Sequence, residues 1–149
     1  MLSKSTEYAI RALVFVQLRN WEQKRPGVTE IAQEIEAPEA YTAKILQTLT
    51  KNKLVDSMKG RGGGFFFSDN QSNLTLYDVI HVVEGDDCFH KCAFGLKQCN
   101  NENPCPLHEK YKGVRDGFFE IVKTETIKSL SEKILHGDAV LNRIRIINE

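Results

Sequence analysis

Glu39-Ala40-Tyr41-Thr42-Ala43-Lys44-Ile45-Leu46-Gln47-Thr48-Leu49-Thr50-Lys51-Asn52, followed by Leu54-Val55-Asp56-Ser57-Met58-Lys59, Gly60-Arg61-Gly62-Gly63-Gly64 and Phe65-Phe66-Phe67-Ser68, is the stretch on which the fold turns. Thr42, Ile45, Leu46 and Leu49 recur at three- and four-residue spacing, so Glu39 to about Asn52 is expected as a helix with those four facing the core. Ala40, Tyr41, Lys44, Gln47, Thr48 and Lys51 then point outward, a polar, cationic and aromatic face. The next two segments are strand-like, and the glycine-rich run between them is a strong turn signal, which predicts a hairpin.

Upstream, Thr29 is placed to cap a short helix carrying Ile31, Ala32 and Ile35, and Pro38 breaks that helix and opens the next. Helix, brief turn, helix and hairpin together make a winged helix. Before it, Ser3 to about Glu22 is apolar on most sides (Tyr8, Ile10, Leu13, Val14, Phe15, Leu18, Trp21), as a largely buried helix would be, and Pro26-Gly27 ends it. The expected fold is mainly α with a small β-hairpin wing.

The second half has a different character. Leu74 to Val83 reads as a short helix, and Gly85 to Pro106 shows no regular period and holds all four cysteines. From Pro106 onward Tyr111, Val114, Phe118 and Ile121 form the seam of a long helix that packs along another helix. Thr126 is expected to cap a last helix bearing Ile127, Leu130 and Ile134, which Gly137 ends. The expected division falls at residues 1–72, a winged helix-turn-helix, and 73–149, a cysteine loop with C-terminal helices.

In 149 residues, 20 Lys+Arg balance 20 Asp+Glu, yet the charge is unevenly spread. From Tyr41 to Gly64, Lys44, Lys51, Lys53, Lys59 and Arg61 face Asp56 alone, whereas Gln71 to Lys110 carries six acids against three lysines. The first region suits a polyanion. In a major groove, Tyr41, Lys44 and Gln47 would stand nearest the bases, with Thr48 on the same face and Lys51 nearer the backbone. Arg61 at the wing tip suits the adjacent minor groove, Lys59 of the wing is a further DNA-binding candidate, and Ser3, Lys4 and Thr29, near helix starts, suit phosphates.

Cys88, Cys92, Cys99 and Cys105 fall within eighteen residues, followed by His108. No stretch has the roughly 18 apolar residues of a membrane span, and the N-terminus lacks a signal-peptide core, so the expected location is cytoplasmic. There, clustered cysteines point to metal or redox chemistry rather than structural disulfides. The spacings lack the paired knuckles of structural zinc, and an iron-sulfur cluster fits better. Cys92, Cys99 and Cys105 are the expected ligands; the fourth is open among His108, Cys88 and a residue distant in sequence. Zinc, or a metal-free thiol/disulfide switch, is the alternative. The glycine run lacks a phosphate-loop ending and no dinucleotide fingerprint or catalytic triad spacing occurs, so an enzyme is not expected.

Thr6-Glu7-Tyr8-Ala9-Ile10-Arg11-Ala12-Leu13, Ala43-Lys44-Ile45-Leu46-Gln47 through Leu54-Val55, Lys59-Gly60-Arg61-Gly62-Gly63-Gly64-Phe65 and Pro104-Cys105-Pro106-Leu107-His108 resemble the winged-helix iron-sulfur transcriptional regulators that include IscR, NsrR and CymR. The resemblance covers nearly the whole chain. It implies a winged helix plus a long C-terminal dimerisation helix, with 1–72 as the winged helix-turn-helix DNA-binding domain and 73–149 as the cysteine-loop sensor and dimerisation helices, and a homodimer on imperfect palindromes of double-stranded promoter DNA. It also implies a 2Fe-2S or 4Fe-4S cluster, completed by a histidine matching His108 or by an acidic residue of the partner chain at the position of Glu7. The chain departs from that pattern in the six residues between Cys92 and Cys99, where IscR-like members have five, and in the extra Cys88.

Overall fold

The computed structural model describes residues 2–69 and 71–144. Six helices and one hairpin run in the order α1 (Lys4–Trp21), α2 (Val28–Glu34), α3 (Glu39–Lys51), β1 (Asp56–Met58), β2 (Gly64–Phe66), α4 (Leu76–Val83), α5 (His108–Thr124) and α6 (Ile127–Leu135). Single 3-10 turns lie at Gln71–Asn73 and Asp87–Phe89. The winged helix expected from the sequence is present, with a two-stranded antiparallel wing pairing Asp56 with Phe66 and Met58 with Gly64.

Helix α1 is the centre of the core because it is apolar almost all round. Its residues from Ala12 to Gln17 are all buried, and α2, α3, α4 and α6 pack around it. Leu13, Val16, Ile31, Ile35, Leu46, Leu49, Val55, Val79, Ile80 and Ile127 belong to one buried cluster. Thr42, Ile45, Leu46 and Leu49 are the buried face of α3, as their spacing requires. The starts of α4 and α6 are clipped together: Leu76 N–H donates to the Glu125 carbonyl at 3.0 Å and Ile127 N–H to the Leu74 carbonyl at 3.1 Å.

Three local expectations need correction. Gly27, not Thr29, stands at the N-cap of α2, since Val28 is already helical and Ile31 N–H reaches the Gly27 carbonyl at 3.1 Å. Leu54 and Val55 are not strand residues. Leu54 N–H donates to the Leu49 carbonyl at 3.0 Å across Lys53, whose φ is 63°, so the pair closes the end of α3 and Val55 drops into the core. The helix expected from Leu74 begins at Leu76, because Thr75 and Asp78 form a reciprocal cap in which each side chain accepts from the other residue's N–H. Thr126 caps α6 as expected. Among the described residues no helix is long and apolar enough to cross a membrane.

Candidate nucleic-acid interface and metal centre

Pro38 fixes the entry of α3: its carbonyl accepts from both the N–H and the hydroxyl of Thr42 at 2.9 Å. This turns Tyr41, Lys44, Gln47, Thr48 and Lys51 to solvent, all of them exposed. Tyr41 does not hang free. Its hydroxyl meets that of Ser5, and its ring stands edge-on to Tyr8 with centroids 5.7 Å apart. Thr48 spends its hydroxyl on the Lys44 carbonyl at 3.2 Å, leaving the cations and Gln47 as the free polar groups of this face.

The wing lies beside that face. Lys44, Gln47 and Lys51 share a groove with Ser57 and Phe65 of the hairpin. Lys59 and Arg61 are exposed at the tip. Gly64 has a φ of +139°, and a Cβ there would lie 2.2 Å from the Arg25 carbonyl oxygen, so only glycine lets the strand meet the turn before α2. Phe65 N–H then donates to the Pro26 carbonyl at 2.9 Å.

Arg25 is a cation that linear reading missed. Its guanidinium lies over the Phe66 ring, 4.1 Å from the centroid, and donates to the Met58 sulfur. No periodic pattern marks a residue in that turn; only the docked wing brings it to this surface.

The phosphate candidates divide. Lys4 is exposed, 3.8 Å from Glu7 and over the Tyr8 ring, hence close to Tyr41. Thr29 donates its hydroxyl to Glu39 at 2.8 Å and ties the starts of α2 and α3 together. Ser3 caps α1 by accepting from Thr6 N–H, and its own N–H donates to Glu84 at 3.1 Å. Leu2 and Ser3 border the cysteine loop, sharing a pocket with Cys88 and Cys92.

That loop is moored by aromatic rings. Phe89 is buried against Phe119 with centroids 4.9 Å apart and against Tyr77 at 5.6 Å, which fixes the Cys88–Cys92 end on α4 and α5. Cys99 N–H donates to the His90 carbonyl at 3.2 Å, and His108 N–H to the Cys105 carbonyl at 3.1 Å. Four donors consequently fall into two pairs. Cys99 Sγ lies 3.2 Å from Nδ1 of the buried His108, and Cys105 stands near enough to Cys92 to help lower its pKa.

Each pair is prepared for the role. Asn101, which sequence reading also missed, accepts through Oδ1 from His108 Nε2–H at 2.8 Å and so fixes the ring with Nδ1 facing Cys99. Burial works to raise the Cys92 pKa, but the N–H groups of Leu96 and Phe94, the Cys105 thiol and the Gly95 N–H outweigh it and hold this thiol below the usual cysteine value. Cys88 is the opposite case, pushed up by burial and by Glu84, and it joins neither pair. Glu7 is exposed, with its carboxylate 3.8 Å from Lys4 Nζ. Among the described residues no three His, Cys, Asp or Glu side chains converge on one ion. The donor chemistry suits an iron-sulfur centre, and the arrangement is two pairs instead of a single-ion shell.

A helix-turn-helix with a wing, a cationic outer helix face and a separate cysteine loop defines a winged-helix transcriptional regulator. The chain belongs to the Rrf2 family, whose model, described as "Iron-dependent Transcriptional regulator", matches residues 2–133. It is 32% identical over 130 residues to "Protein aau3" of Rhizobium meliloti, covering 87% of this chain and 83% of that protein. It is 29% identical over 133 residues to the HTH-type transcriptional regulator NsrR of Oceanobacillus iheyensis, covering 87% and 88%. The fold is shared with CymR, the global cysteine regulator of B. subtilis, at a TM-score of 0.70 and 21% identity over 89% of this chain and 96% of that one. It is shared equally with T. potens IscR, at a TM-score of 0.70 and 17% identity over 97% and 96%.

Proposed function

We propose that this regulator is a cytoplasmic homodimer that binds imperfect palindromes of double-stranded promoter DNA, and that its cysteine loop holds an iron-sulfur cluster reporting nitric oxide, oxygen or redox state, or iron-sulfur status. The observation that carries the sensor reading is the contact of Cys99 Sγ with His108 Nδ1 at 3.2 Å in the loop that also sets Cys105 beside Cys92. Two donors per iron is the demand of a 2Fe-2S centre, which favours that type over 4Fe-4S and His108 over Glu7 of the partner subunit or Cys88 as the fourth ligand. When bound, the cluster supplies a centre that oxidants and nitric oxide can alter.

The chain's own residues do the rest. Lys44 and Gln47 read base edges, Tyr41 is held against Tyr8 as part of the same face, and Lys51, Lys4 and Arg25 fix phosphates. Residues 1–72 serve DNA, while 73–149 serve sensing and dimerisation. On α5, Val114 and Ile121 are 60% and 56% exposed, seven residues apart, and Leu107 extends the same apolar line. Such a stripe suits packing against the α5 of a second chain. The bond from Ser3 N–H to Glu84 links the border of the cysteine loop to the start of α1, and α1 carries Tyr8, the support of Tyr41.

A second reading is favoured by four free cysteines gathered in one loop, with Cys105 beside Cys92 and the Cys92 thiol held below the usual cysteine value: a thiol/disulfide switch under an oxidant such as peroxide, with zinc as the metal-bound variant. One experiment separates the readings: iron and acid-labile sulfide per chain, on protein purified without oxygen, with promoter affinity compared before and after cluster removal. Equal iron and sulfide with a change in affinity is the expected result. Colourless protein with equimolar zinc, or with no metal after anaerobic reconstitution, rejects the cluster in favour of the zinc or thiol reading.

A further inference from the structure

Arg115 is a cation on the buried side of α5. It is only 8% exposed, and among the described residues both Nε and Nη1 are buried without a hydrogen-bond partner. The nearest carboxylate, Asp116, is exposed and stands 3.9 Å from Nε, beyond hydrogen-bonding distance. A permanently charged guanidinium left unpaired in a buried position is costly, so its surroundings should supply an acceptor.

Arg115 lines a cavity of about 660 Å³ between α5 and the cysteine loop. Lys91, Lys97 and Lys112 line it too, and the only carboxylate among the described lining residues is Asp87. No aliphatic, Phe, Tyr or Trp side chain lines it among the described residues, so its lining suits a charged ligand rather than an apolar one. Four cations against one carboxylate fit a ligand carrying more than one negative charge, and the volume accommodates a small metabolite.

We propose that this cavity binds a small, multiply charged oxyanion, a polycarboxylate or a phosphate compound, with Arg115 as its buried anchor and Lys97 and Lys112 completing the charge. Cys99 lies on the same wall, so an occupant touches the thiol that faces His108. The site does not depend on the cluster reading, because every cation in it belongs to this chain. It gives the regulator a second input, sensitive to the concentration of an anionic metabolite.

The test is calorimetric titration of citrate and of pyrophosphate into the full chain at 0.15 M salt or below, where charge screening is modest. One saturable site per chain is expected, weakened about tenfold or more by Arg115→Gln and by Lys112→Gln, since each removes a charge-assisted hydrogen bond. Lys128→Gln, on the exposed side of α6, should leave it unchanged. Citrate binding alone assigns a polycarboxylate, pyrophosphate alone a phosphate compound, and both assign the shared oxyanion chemistry. If Arg115→Gln fails to fold, the Lys97→Gln/Lys112→Gln double variant decides. No saturable binding of either probe, binding that survives in the double variant, or equal weakening by Lys128→Gln would overturn the proposal.

Discussion

The side chain of Asn20, near the end of α1, accepts from Phe67 N–H at 2.9 Å, just beyond the second strand of the wing. Its amide also donates to the Phe65 carbonyl at 3.3 Å and the Lys24 carbonyl at 2.9 Å. One residue of the buried helix thus holds the outgoing edge of the wing and the turn that precedes α2. Asn20→Ala leaves part-buried backbone groups unpaired and should cost about 1–3 kcal/mol. Urea unfolding measures the loss, and amide exchange at Phe67 should quicken more than at Leu13.

Gly64 and Gly62 both have positive φ, of +139° and +77°, but differ in what surrounds them. Gly62→Ala meets open space and should cost only the left-handed backbone penalty, about 1–2 kcal/mol. Gly64→Ala drives a Cβ into the Arg25 carbonyl and must displace the wing. Its urea midpoint should fall further than that of Gly62→Ala, and equal midpoints would contradict the close docking of the hairpin.

On DNA, Lys51→Ala should weaken binding to all sequences alike and reduce the salt slope by about 1, as loss of one phosphate contact does. Gln47→Ala should instead relax preference at one base pair, at a cost of about 1–3 kcal/mol there. Binding curves on a set of single-base operator variants at several salt concentrations distinguish the two. Identical effects of both changes would mean that α3 lies in another orientation.

For the cysteine loop, Cys99→Ala and His108→Ala each remove one member of a pair and should lower iron per chain to near zero. Cys88→Ser should retain iron, because that thiol joins neither pair. All three should remain folded by circular dichroism: the buried cluster around α1 draws its largest side chains from outside the loop. Iron loss in Cys88→Ser with retention in His108→Ala would reassign the fourth ligand.

Val114→Asp and Ile121→Asp place charge on the exposed apolar stripe of α5 and should convert the proposed dimer to monomer, seen by sedimentation, with little change in helicity. Lys123→Asp, elsewhere on the same helix, is the control. A dimer unaffected by both seam changes would put the interface elsewhere.

Much of this was legible from residue order. The buried face of α3 followed from the spacing of Thr42, Ile45, Leu46 and Leu49, because helical periodicity is a local property. The caps at Thr75 and Thr126 involve partners only three residues away. The boundary at Leu54 was misread since strand propensity lost to the carbonyl of Leu49, which needed a partner after the helix ended. The loop from Gly85 to Pro106 has no period at all, and there residue types announced a centre without saying which donors meet.

Residue order by itself determined the winged helix, the cationic outer face of α3, the separation of a basic DNA half from a cysteine half, and the likeness to iron-sulfur regulators. These rest on interactions within a few residues or on composition. Tertiary packing alone decided that Cys99 meets His108, that Asn101 bonds the other nitrogen of that ring, that Arg25 joins the wing, and that Arg115 is buried without an acceptor among the described residues. Each of those depends on segments remote in the chain or on a loop without regular hydrogen bonding, where position in space follows from the anchoring of Phe89 and the docking of whole helices rather than from any local repeat.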